Sequence, residues 1–359
     1  MDSALTTFVL AVIAAVQAVF LLVLMAYLAA NRVRMSRLTR RENAVTASLT
    51  EPLHAFLLGT GSAIEVCAHL AVLGPDQALE QLTRLSALRV AAERQDVLAT
   101  ALLKEKWVQH GLKGARSPRW WKRLAAVRLL AAVGQQSHRA MLRRLLLDRH
   151  PAVQLAAASC LGRVADSDLV SLIVETLPAR PVAVRHYLFA ALRQCWQYTV
   201  PLVARRLRVD TPPRRLEVWI NLAESLATPA VLAPVLRLAS HPDAPVRLAV
   251  ARALKHYFHP DTPAALYALL EDEDWRVRAQ AARAFGVLKV TEAIGPLGRL
   301  LRDSAWWVRF RAALSLAQLG EPGRRMLREA RVGGDRYASE MATMISGLSG
   351  GGVLELADA

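Results

Sequence analysis

Between residues 119 and 347 the apolar positions recur with two periods at once. Within each short stretch they return every three to four residues, the spacing of one face of an α-helix. Across stretches the whole pattern returns every 31 residues. Stepping by 31 from Val153 gives Val184, Arg215, Val246, Val277 and Val308, with Lys122 one step earlier. Four positions after that slot stand Ala126, Ala157, Leu188, Trp219, Val250, Ala281 and Ala312. Eight after it stand Leu130, Leu161, Leu192, Ala223, Leu254, Phe285 and Leu316. Both columns are apolar throughout, so each unit carries a helix with a buried stripe. A preceding helix keeps step through Leu207, Leu238, Leu269 and Leu300. An acid sits five positions before the Val slot at Asp148, Asp210, Asp272 and Asp303, where a short polar acceptor caps the second helix of a pair. The pattern predicts an all-α stack of about seven two-helix hairpins, each burying its apolar stripe against its neighbours.

The position after the Val slot holds Arg123, Gln154, Arg185, Leu216, Arg247, Arg278 and Arg309. A turn acid, a Val-Arg pair and small contact residues in a two-helix unit of this length resemble the HEAT repeat, particularly its bacterial HEAT-like branch, which includes the PBS-lyase type. The clearest copies are DEDWRVRAQAARAFGVL at 272–288 and DSAWWVRFRAALSLAQLG at 303–320. The unit around Arg215 departs from the pattern in both signature slots. The resemblance implies an α-α superhelix whose turn acids pair with the Arg six residues on, as Asp272 with Arg278 and Asp303 with Arg309. It makes Arg247 structural in the same way.

The N-terminal pattern is different in kind. From Leu5 to Ala30 the run is broken only by Thr6, Thr7, Gln17 and Tyr27. About 20 such residues cross a bilayer as a helix, so 5–30 reads as a transmembrane helix, too long for a cleaved signal peptide. Arg32, Arg34, Arg37, Arg40 and Arg41 follow it and no basic residue precedes it. The positive-inside rule then places residues 1–4 outside and the rest in the cytoplasm, as a single-pass inner-membrane protein. Residues 31–48 read as a basic juxtamembrane helix. Residues 49–118 read as degenerate hairpins capping the array, with helices near 53–73, 76–88 and 90–109 and a linker at 111–118. Residues 119–347 are the repeats and 348–359 a flexible tail.

Charge alters this picture only once it is located. The net +16 is a nucleic-acid signature on its face. Residues 31–41 contribute +5 and residues 104–144 contribute +10, leaving +1 for the rest of the chain. Within the second segment lies Arg119-Trp120-Trp121-Lys122-Arg123. This run reads either as a partner or anionic-headgroup contact or as one Trp packed under the first repeat with solvated cations. Trp306 and Trp307 are adjacent, so one of their rings points away from the other and is a candidate contact; Trp196, Trp219 and Trp275 read as core.

Candidate chemistry is sparse. Cys67, Cys160 and Cys195 have no CxxC spacing and read as buried thiols. His256, His259 and Asp261 are too interrupted by Pro260 for a metal site, and no nucleophile-base or phosphate-loop motif is present. No cofactor is implied. The expectation is a non-catalytic scaffold that holds a partner protein beside the membrane. The resemblance implies an adaptor near envelope polysaccharide or glycosyltransferase machinery. The alternatives are a basic nucleic-acid-binding protein and a bilin-lyase-like subunit.

Overall fold

The computed structural model describes residue 17 and residues 20–33, 51–73, 75–86, 91–209, 212–348, 351–352 and 355–356. These are helices and turns, with no strand among the described residues. The chain divides into two compact units, Met1–Met141 and Leu142–Ala359.

The expected membrane span is corrected. Residues 5–16, 18 and 19 lie outside the described residues, as do Arg34, Arg37, Arg40 and Arg41, while Arg32 is exposed on a helix over 20–33. No described helix is long and apolar enough to cross a membrane. The single-pass inner-membrane placement that rested on the 5–30 run is therefore withdrawn.

In the first unit the expected helix over 53–73 is two helices. Gly59, at φ 90°, turns the chain after residues 51–58, and Ser62 starts Ala63–Val72. The Ser62 hydroxyl accepts from the Ile64 N–H while the Glu65 carboxylate accepts from the Ser62 N–H, closing a capping box. The helix expected over 90–109 is likewise split, into Ala92–Leu102 and Lys106–Lys113. The linker is helical to Lys113 and continues as a short 3-10 turn, Gly114–Arg116. The unit's core gathers Val66, Leu70, Leu82, Leu102, Val108, Leu112, Val127 and Leu130.

In the second unit the hairpins follow one another. Ser167–Thr176 pairs with Val182–Gln194, Trp196–Arg208 with Pro213–Leu226, and Pro229–Leu236 with Ala244–Leu254. Thr262–Leu269 pairs with Trp275–Leu288, Ile294–Leu300 with Trp306–Gln318, and Gly320–Val332 with Arg336–Ser346. Each second helix from Val182–Gln194 onward packs on the next, so the second helices form a continuous layer. This is the α-α solenoid that the period predicts.

Both apolar columns point into it. Every residue from Ala157 to Ala312 and from Leu161 to Leu316 in those columns is buried. Burying a Leu in this way stabilises by about 2 kcal/mol, so the 31-residue register is held by a term that recurs in every unit. Close approach of neighbours is visible at Gly286. A Cβ there would stand 2.4 Å from Gln318 Oε1 and 2.6 Å from Ser315 Oγ.

Candidate interaction surface

The turns between paired helices are built by one repeated device. In three of these turns the Asp side chain folds back on its own backbone, Asp210 lying outside the described residues: Oδ1 of Asp148, Asp272 and Asp303 accepts from the N–H of His150, Asp274 and Ala305 at 2.9, 2.9 and 2.8 Å. The Arg six residues later lays Nη1 on the turn carbonyls. Arg278 reaches Asp272 O at 2.6 Å and Glu273 O at 3.1 Å, and Arg309 reaches Asp303 O at 2.7 Å and Ser304 O at 3.0 Å. Arg247 does the same to His241 and Pro242. Gln154, standing in the Arg slot of its unit, donates to Asp148 O.

The rest of each guanidinium reaches forward. Arg247 Nε and Nη2 clasp the Asp272 carboxylate at 2.6 and 2.9 Å, and Arg278 clasps Asp303 at 2.8 and 2.9 Å. The carboxylate pairing therefore runs to the Asp 25 residues on, in the following hairpin, and not to the Asp six residues back as the spacing suggested. Bidentate geometry of this kind is the strong form of the ion pair. The hydrogen bonds to Asp272 and Asp303 raise the pKa values of Arg247 and Arg278. Burial pushes the Asp272 carboxyl up, but the Arg247 hydrogen bond and the Asp274 N–H outweigh it, leaving the group below its ordinary value.

The ladder ends at Arg309. The place 31 residues after Asp303 is Gly334, which offers no carboxylate. Arg309 instead lies over the Tyr337 ring, 4.7 Å from its centroid, and its buried Nε has no hydrogen-bond partner among the described residues. The Asp of this hairpin is Asp335, one place later, which caps Arg336–Ser346 by accepting from the Ala338 N–H at 2.9 Å.

Beside the ladder stands a row of exposed aromatic rings. Trp275 and Trp306 are the first residues of consecutive second helices, and Tyr337 is the second residue of the next. They are spaced by 31 and all three are exposed, with Trp307 beside them. Trp306 stacks on the buried Phe310 ring at 5.0 Å and meets Trp307 edge-on at 4.8 Å. Trp307 meets Phe310 edge-on at 5.9 Å. Phe310 thus holds both indoles while 44% and 51% of their surfaces remain in solvent. Sequence reasoning placed Trp275 and Trp196 in the core; both are exposed, because each opens its helix, where side chains project beyond the packed stripe. Trp219, in mid-helix, is buried. Tyr337 was missed, although the same step of 31 leads to it.

In the first unit, Arg119 precedes the helix Trp120–Val133. Trp120 and Trp121 are both exposed and meet edge-on at 6.3 Å, with the Arg119 guanidinium 5.8 Å from the Trp121 centroid. Lys122 is exposed. Arg123 is not a surface cation: it is buried, its Nη1 on the carbonyls of Ser117 and Pro118 at 3.0 and 2.9 Å, the same own-turn contact that Arg278 makes.

Several other titratable groups are paired or buried. Glu224 faces Arg252 and Lys255 at 3.7 Å and His256 at 3.3 Å. His259 lies 3.6 Å from Asp261, and no cluster able to hold a metal ion occurs among the described residues. All three thiols are buried and outside any disulfide; burial pushes Cys67 up to about 11 and Cys160 up to about 12.

Residues 108–193 and 262–331 match the family model for HEAT repeats. Among solved structures the chain is similar to YibA of Escherichia coli, at 14% identity and a TM-score of 0.36, over 77% of this chain and 98% of that one. It is similar to a mutant of Kap121p at 13% identity and a TM-score of 0.44, over 85% of this chain and 41% of that one. An engineered protein is similar at 19% identity and a TM-score of 0.32, over 58% and 96%. No curated protein matches the sequence.

Proposed function

We propose that the HEAT repeats of this chain form a non-catalytic scaffold that binds another protein through the aromatic row of the second unit. The observation that carries this reading is the exposure of Trp275, Trp306, Trp307 and Tyr337 at one end of stacked second helices. Trp and Tyr are the residues on which protein interfaces concentrate their binding energy. Here they stand on a rigid backing, since the Arg278–Asp303 clasp ties the Trp275 turn to the Trp306 turn and Phe310 fixes two of the rings. A nucleic-acid reading draws less support, because Arg247 and Arg278 already hold carboxylates and are not offered to phosphates.

The narrower expectation of a client in envelope polysaccharide synthesis rested on the membrane span and falls with it. The test is affinity capture with the full chain against W306S/W307S, whose exposed side chains can be removed without opening the core. A protein retained by the wild type and lost by the double variant, at equal helical content, supports the surface. Capture of the same proteins by both moves the interface elsewhere.

A further inference from the structure

A second recognition feature lies away from the aromatic row, around the last hairpin. A cavity of about 700 Å³ opens there, within the range of small-molecule sites. Its lining combines the apolar side chains of Leu327 and Ile345, both buried, with Lys289, Arg324, Arg328 and Arg331, and no carboxylate lines it among the described residues. Arg324, Leu327, Arg328 and Arg331 stand at i, i+3, i+4 and i+7 on Gly320–Val332, so one helix face carries an apolar centre flanked by three guanidiniums. Lys289 comes from a different element, in the left-handed conformation (φ 57°) just past Trp275–Leu288, with Nζ donating to Gln318 O at 2.8 Å.

Four like charges around one opening repel one another, and helix-end electrostatics accounts for Arg331 alone, the one Arg of the three in the last turn of its helix. Glu321 is the nearest acid the structure pairs with this group. Its carboxyl is held below its ordinary value by the hydrogen bond and charge of Arg328, and then by Arg324 and Arg325. One carboxylate outside the lining leaves the opening with a positive excess above an apolar floor. That combination suits a ligand with a negative head and a short apolar body, and a purely inorganic anion would leave the floor unused.

We propose that this cavity binds a small amphipathic anion, its carboxylate-type head against Arg324 and Arg331 and its alkyl body on Leu327 and Ile345. The site is independent of the aromatic row and is tested separately. Isothermal titration of the full chain with octanoate, 1-octanol and inorganic phosphate as probes separates the two halves of the site. Octanoate is expected to bind saturably at one site, with 1-octanol and phosphate each weaker by about tenfold or more. R324E/R331E is expected to weaken octanoate by about tenfold or more, while R299E, an exposed cation outside the lining, leaves it unchanged. Should the reversed charges disturb folding, R324Q/R331Q removes the head-group contacts more gently. The proposal is overturned if octanoate shows no saturable binding, if phosphate binds as tightly as octanoate, or if either folded double variant binds octanoate like the wild type.

Discussion

Arg278 and Asp303 belong to different hairpins and share two parallel hydrogen bonds, Nε to Oδ2 at 2.8 Å and Nη2 to Oδ1 at 2.9 Å. Both side chains are nearly buried. Removing one partner strands the other, so R278A is expected to lower the unfolding free energy by about 3 kcal/mol in urea titrations. R278M/D303L, which removes both charges together, is expected to recover much of that loss. Equal losses in the two variants would show that the ion pair itself, and not the stranded charge, sets the effect.

Acid exposes the same ladder through Asp272. Its folded pKa is depressed, so the stability it contributes is fully present above the unfolded carboxylate value, about 3.9. That contribution is lost as pH falls through the folded value. Melting temperatures followed by circular dichroism should therefore drop more steeply for the wild type than for D272N below about pH 4, with D272N the less stable of the two near neutrality.

Gly286 sits in mid-helix, where alanine ordinarily stabilises by up to about 1 kcal/mol. The opposite is expected here. A methyl group would meet Ser315, which is buried and tied to Ala282 O at 2.8 Å, leaving it little room to withdraw. G286A should destabilise by about 2 kcal/mol in thermal or urea unfolding.

The thiols offer a reading of local opening. Burial raises all three, so almost no thiolate is present near neutral pH. With an aromatic disulfide reagent the native chain should show negligible reaction over minutes, and all three cysteines should react once denaturant is added. Fast labelling of Cys195 in the native protein would reveal a fluctuation within the hairpins that flank it.

The period of 31 located the apolar columns because each is a local spacing repeated, and both faced inward where helices stack. The ladder's direction was hidden by that same regularity. Around Arg278 the acid six residues back and the acid 25 residues on are both constant features of the pattern. The choice is made by geometry, since Nη1 is already occupied by the carbonyls of its own turn and the remaining fork points forward. The cavity was less legible still: Lys289, Leu327 and Ile345 come from separate elements and share no register. A net charge of only +1 outside the two basic segments also concealed the three Arg and the Lys that gather around the cavity. The 5–30 run misled because apolar length alone carried the inference.

Since every clasp joins an Arg to the Asp 25 positions downstream, excising one whole period preserves it. Deleting residues 248–278 would bring Asp303 to the place Asp272 now holds opposite Arg247, so the ladder would keep its pairing, while Glu224 would lose Arg252, Lys255 and His256. A cut of any other length breaks the match. The gene encoding such a chain can thus gain or shed hairpins by unequal crossing-over with the ladder kept continuous, provided the exchange respects that interval.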